Sequence, residues 1–151
     1  MTRTKARELA VRLIYAQGAS DEDAGEVLDG FFDEEHFASL AGEDELFASA
    51  PDEAQRAYIQ RLVSACAEHR DELDNIIARY SEGWRPERIS RTAAALLRCA
   101  LAEIAFLKDE DVTPAVAINE AVELAKSYEE PETVAFINGV LGGYMRGEGA
   151  K

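Results

Sequence analysis

The chain has no run of about 18 consecutive apolar residues, the length a helix needs to cross a bilayer. Its N-terminal stretch LAVRLIYA carries an arginine and lacks the apolar core and cleavage pattern of a secretory signal, so a cytoplasmic protein is expected. Cysteine occurs twice, as Cys66 and Cys99, with no CxxC, and histidine twice, as the isolated His36 and His69. That spacing offers no zinc centre and reads as two buried free thiols. Glycines 139, 142 and 143 follow no strand pattern, so no phosphate loop or dinucleotide fingerprint is present. No Glu-x-x-His accompanies Glu103, Glu120 and Glu123, which argues against a di-iron bundle. With no nucleophile–base–orienter set either, no enzyme, metal or cofactor is expected.

Proline is also scarce, with four residues in 151. The long segments between the helix breakers are rich in Ala, Leu, Glu and Arg, which predicts an all-α protein. Basic charge is missing from one segment altogether. Residues 18–55 hold 13 acidic side chains and no Lys or Arg, whereas the other 17 acidic residues face 16 basic ones. The net charge of −14 therefore belongs to that segment, and it is a poor guide to the remaining surface.

Apolar periodicity predicts six or seven helices. The first covers residues 2–17, with Ala6, Leu9, Ala10, Leu13 and Ile14 inward. Arg3 and Arg7 stand on one border of that face, and Lys5 and Arg12 on the other. The acidic segment, punctuated by glycines, accommodates one or two short helices. Pro51 opens a long helix to about Tyr80, with a weak point at His69–Glu72. The connector SEGWRPERIS leads to a helix begun by Ser90 or Thr92 and carrying Leu96, Leu97, Leu101 and Ile104. Thr113-Pro114 starts a further helix, and the last follows Pro131 and frays at Gly147. Asn119 and the pair Asn138-Gly139 fall inside the last two helices, where both residue types are unfavourable. The expectation is a polar clasp, the asparagines bonding neighbouring helix ends while Gly139 lets two helices approach closely.

The segments AINEAVELAKSY and FINGVL, with LLRCALAEI and KARELAVRLIYAQ as the two other motifs in the expected places and order, resemble the signature motifs of the NusB family of transcription antitermination factors. The resemblance covers the first 15 or so residues and nearly everything from Trp84 to Leu141. It does not extend to residues 18–55. It implies one unit over 1–151 built from two three-helix bundles packed at right angles. The N-terminal bundle would span about 1–81, including the acidic segment, and the C-terminal bundle about 82–147. It also implies binding of boxA, a single-stranded element of ribosomal RNA transcripts, jointly with the ribosomal protein NusE, so that RNA polymerase in its antitermination complex reads through terminators.

The positions that match the family's RNA contacts are Arg3, Arg7, Tyr15, Lys126 and Phe136, with Glu132 near the same loop. Lys5 and Arg12 complete the basic helix. Cationic side chains neutralise phosphates and aromatic faces stack unpaired bases. A solvated helix face is the alternative for the four basic residues, and core packing for Tyr15 and Phe136. Where the family often has consecutive arginines, this chain reads TRTKAR, which implies weaker binding to RNA alone and greater dependence on the partner. The resemblance places NusE near the connector and the following helix, where Glu87, Arg88, Arg91 and Arg98 are the charged candidates. A family acidic position there is Ala93, so the ion pairing differs. Trp84 anchors that interface or braces the two bundles. The same fold occurs in ribosomal RNA methyltransferases, but this chain lacks the length and glycine-rich motif of a methyl-donor site. The rival reading is an acidic helical adaptor that binds only proteins, and a homodimer stays open for the free protein.

Overall fold

The computed structural model describes residues 2–18, 52–81, 89–108 and 112–149, and all regular structure among them is helical. Six α-helices follow one another among these residues: α1 (Arg3–Gly18), α2 (Glu53–Glu68), α3 (Arg70–Tyr80), α4 (Arg91–Ala102), α5 (Pro114–Tyr128) and α6 (Pro131–Tyr144). Their starts are written in side chains. Asp52 caps α2 in a reciprocal box with Gln55, Ser90 accepts from the amide of Ala93, and Thr113 accepts from Val116 ahead of Pro114 at the first turn. The helix expected to open at Pro51 thus begins at Glu53, because Asp52 supplies the capping oxygen; Pro51 itself lies outside the described residues. The weak point at His69 is a real break that separates α2 from α3, and the His69 ring stacks on Phe106 at 3.8 Å.

Helix α4 packs against every other helix. Eight of its twelve residues are buried, among them Leu96, Leu97 and Leu101. Each fully buried leucine contributes about 1.5–3 kcal/mol relative to an exposed one, so this helix holds much of the folding free energy. Helices α4, α5 and α6 contact one another as a three-helix bundle. In the other half α1 lies on α2 and α2 meets α3, while α3 also leans on α6. The buried apolar side chains of both halves form one continuous core. A π-helical turn, Glu103–Leu107, continues α4 and closes with the Lys108 N–H donating to the Glu103 carbonyl at 3.1 Å; the left-handed backbone of Lys108 (φ 47°) then ends the helix. A second π-turn, Met145–Gly149, extends α6.

The clasp expected of the asparagines is not there. Asn119 and Asn138 are both exposed, and neither hydrogen-bonds any described residue through its side chain. They sit one step beyond the half-buried Ile118 and the buried Ile137, on the solvent side of the border. Gly139 permits no close approach either, since a Cβ built on it would meet nothing within 4 Å. The close approach is one turn later: a Cβ at Gly143 would come within 3.2 Å of the Tyr80 ring, so that glycine lets α3 and α6 meet.

Candidate nucleic-acid interface

The basic residues of α1 do not form one uniform face. Arg3 is exposed, with its guanidinium 5.6 Å from the centre of the Tyr58 ring. Lys5 is half-buried in the same first turns, where the Thr2 hydroxyl accepts from its amide. Arg12 turns toward α5: its Nε and Nη2 donate to the Tyr128 hydroxyl at 3.1 and 2.9 Å, and that hydroxyl in turn donates to Glu8. Burial, reinforced by the Glu8 carboxylate, raises the Tyr128 pKa above its ordinary value. Thr4 reaches Glu120 across the same seam, so α1 and α5 are joined by polar contacts along their length.

Arg7 departs from the expectation of a border position. It is 3% exposed, and its Nε and Nη2 donate to the two carboxylate oxygens of Glu103 at 2.7 and 2.9 Å. Glu120 adds a second carboxylate at 3.5 Å. Burial alone would lower the arginine pKa, but the hydrogen bond and charge of Glu103 outweigh it and raise it further, so the cation is permanent. A side chain enclosed this way holds α1 against the π-turn and presents no guanidinium to solvent. The spacing contained the signal: Arg7 is seven residues before the inward Ile14, hence on the same face. Its partner was equally legible, four residues after the buried Cys99. Burial raises the pKa of both thiols, with Cys66 pushed up to about 12 and Cys99 raised further by Glu103.

At the far end of α1, Tyr15 is 40% exposed and the Arg91 guanidinium from α4 lies 4.7 Å from its ring centre. The two border a cleft of about 300 Å³ with an apolar floor that includes Ile14, Ile77 and Ala94 and with Arg70, Arg98 and Asp74 in its wall. Asp74 holds Arg98 through both carboxylate oxygens, at 2.8 and 3.2 Å. Three arginines against one aspartate leave the described lining cationic. The structure therefore brings Tyr15, an expected RNA contact, together with Arg91 and Arg98, expected partner contacts. Arg70 escapes a reading of the sequence because it occupies the weak apolar stretch after His69, and Asp74 because its partner, Arg98, is 24 residues away along the chain. Glu87, Arg88 and Trp84, like the acidic residues 19–51, lie outside the described residues.

The remaining expected contacts are on α5 and α6. Lys126 is exposed and pairs with Glu123 at 2.8 Å. Glu132 is exposed in the first turn of α6. Phe136 is 8% exposed and belongs to the core, with one part of it lining a groove between α3 and α6. Among the described residues no three His, Cys, Asp or Glu side chains are placed to hold a metal ion, and no helix is long and apolar enough to cross a membrane.

Comparison with known proteins gives these positions a context. The chain is 35% identical over 149 residues to the transcription antitermination protein NusB of Thermoanaerobacter pseudethanolicus, covering 99% of this chain and 94% of that one. It is 37% identical over 150 residues to the NusB protein of Symbiobacterium thermophilum, covering 97% and 91%. Its fold superposes on NusB of T. maritima with a TM-score of 0.77 at 26% identity, over 97% of this chain and 92% of that one. A further similar structure contains the antitermination factors NusB and NusE in complex with double-stranded RNA; it matches with a TM-score of 0.72 at 25% identity, over 95% and 96%. The sequence model of the NusB family matches residues 4–146, nearly the whole chain, and the chain belongs to the NusB family.

Proposed function

We propose that the protein is an RNA-binding antitermination factor that takes boxA-type single-stranded RNA together with NusE and promotes read-through by RNA polymerase in ribosomal RNA operons. It acts by binding, in the cytoplasm, and catalyses no reaction. Arg3 and Lys5 in the first turns of α1 supply phosphate contacts, with Arg12 and Lys126 flanking them. Tyr15 offers a ring face to a base. Arg7 is the exception among the basic residues. Its role is to seat α1 through Glu103, which aligns the other side chains without touching RNA. Glu132 and Phe136 shape the α6 side of the surface.

The observation that supports this reading best is the Tyr15–Arg91 contact of 4.7 Å. It sets Tyr15, the proposed base contact, against the helix where the partner candidates Arg91 and Arg98 stand. A ligand on either side of that contact alters the surface offered to the other. Affinities for RNA and for NusE are then linked, and each changes the other by the same factor.

Isothermal titration of NusE into this protein, with and without boxA RNA, tests the reading. We expect a heterodimer whose affinity rises when RNA is present, each tenfold gain corresponding to about 1.4 kcal/mol of coupling. The internal pairing of Arg12 with Glu8 and of Lys126 with Glu123 favours the rival, a helical adaptor that binds proteins only. Formation of the heterodimer with no response to RNA would favour that rival. Absence of any complex at tens of micromolar would remove the antitermination role.

A further inference from the structure

Asn138 and Gly139 sit in the middle of α6, where both residue types weaken a helix. Neither has a packing role in compensation. The Asn138 amide is exposed and hydrogen-bonds no described residue, and no described residue lies within 4 Å of a Cβ built on Gly139. Local choices that oppose helix stability without a structural return mark functional positions.

These two adjacent residues line two different grooves. Asn138 belongs to a groove of about 570 Å³ between α5 and α6, whose other walls include Val122, Pro131, Val134 and Lys126. Gly139 belongs to a groove of about 360 Å³ between α3 and α6, where Arg79 and Arg146 are the charged residues of the described lining. A larger side chain at 139 would raise a ridge between the two. Glycine leaves a low saddle of bare backbone.

We propose that this saddle is a path for single-stranded RNA. A base enters the α5–α6 groove, its faces against the apolar walls and its edge against the Asn138 amide, which carries both a donor and an acceptor. The sugar-phosphate backbone crosses at Gly139 and reaches the guanidiniums of Arg79 and Arg146, whose geometry suits phosphate oxygens. The charge favours RNA over a partner helix, because the described linings of the two grooves carry Lys126, Arg79 and Arg146 against the single carboxylate of Glu129. The inference rests on the RNA reading above and extends it to four residues not matched to any family contact: Asn138, Gly139, Arg79 and Arg146.

The test measures fluorescence anisotropy of labelled boxA RNA, alone and with NusE, against the wild type, Gly139→Leu, Asn138→Ala, Arg146→Ala and the control pair Arg3→Ala with Lys5→Ala. Thermal melts of each variant are recorded in parallel. Gly139→Leu meets open space and gains helix propensity, so its melting temperature holds or rises while its RNA affinity falls about tenfold as the new side chain blocks the crossing, a loss of about 1.4 kcal/mol. Asn138→Ala weakens binding at unchanged stability, and Arg146→Ala flattens the salt dependence by about 0.7 in slope. If the control pair weakens RNA binding but Gly139→Leu and Asn138→Ala do not, the saddle is not an RNA path and the broader reading stands. If Gly139→Leu fails to bind NusE and still binds RNA, the surface belongs to the protein partner and the proposal is overturned. A wild type that binds no RNA, with or without NusE, sinks both.

Discussion

The Arg7 guanidinium and the Glu103 carboxylate, 96 residues apart in the chain, meet through two hydrogen bonds of 2.7 and 2.9 Å in a site closed to solvent. Removing one partner strands the other as a buried charge. Arg7→Ala is therefore expected to destabilise the protein by about 3–5 kcal/mol. Replacing both residues, Arg7→Met with Glu103→Leu, removes the stranded charge and should recover much of that stability. Urea denaturation of the two variants checks this. A single variant as stable as the wild type would mean that the pair contributes nothing.

Gly139 and Gly143 share a helix but have opposite surroundings. Alanine is favoured over glycine in a helix interior by about 1 kcal/mol. Gly139→Ala should deliver that increase, because its Cβ meets nothing within 4 Å. Gly143→Ala should cancel or reverse it, because the new Cβ lies 3.2 Å from the Tyr80 ring. Differential melting of the two variants makes the comparison directly, and equal shifts would contradict it.

The first turns of α1 carry the electrostatic expectation. Replacing Arg3 and Lys5 by alanine should flatten the plot of log affinity for boxA RNA against log salt by about 0.7 for each phosphate no longer neutralised. Helix content should not change, since Arg3 is exposed and Lys5 only half-buried. An unaltered slope would remove the N-terminal end of α1 from the RNA surface.

The two thiols predict an alkaline limit. Cys66 has its pKa raised from the ordinary 9.0 to about 12 by burial, and Cys99 is raised as well. Above pH 9 the unfolded chain releases these protons while the folded one retains them. Their contribution to stability is present below pH 9 and disappears progressively as pH climbs toward 12. Equilibrium unfolding at pH 8, 9 and 10 should show a decline that Cys66→Ala and Cys99→Ala reduce, once their cavity costs are subtracted. In the native state at pH 8 both thiols should resist alkylation.

Most of the architecture is legible in the sequence because apolar spacing and caps agree. Thr113-Pro114 and Ser90 announce two helix starts, and the break at His69 follows from the lapse in periodicity. The ends of α1 fall within a residue of the expected 2–17. The site is less legible, for a physical reason. A single helix wheel shows which face is apolar, but it does not show which polar group is satisfied by a partner far along the chain. Arg7 has the phase of the apolar face, yet its charge argues for the border, and only Glu103 resolves the conflict. Asn138 and Gly139 suggest packing because a costly residue in a helix implies a neighbour in need of it; the structure has no such neighbour among the described residues. The contact of Tyr15 with Arg91 pairs α1 with α4, which local sequence does not encode.

Helix α4, touched by each of the other five, also sets how the molecule breathes. Its backbone amides become available to solvent only when the surrounding helices have come away, so their hydrogen–deuterium exchange reports the global opening free energy. The α1–α5 seam, held by Thr4, Glu8, Arg12, Glu120 and Tyr128 through polar contacts, opens by exchanging protein hydrogen bonds for water at little net free energy. The protein thus has a rigid keel and a compliant flank. The flank is where the polar side chains of the seam can rearrange around a ligand, while Arg7 and the buried face of α1 stay fixed in the core beneath them.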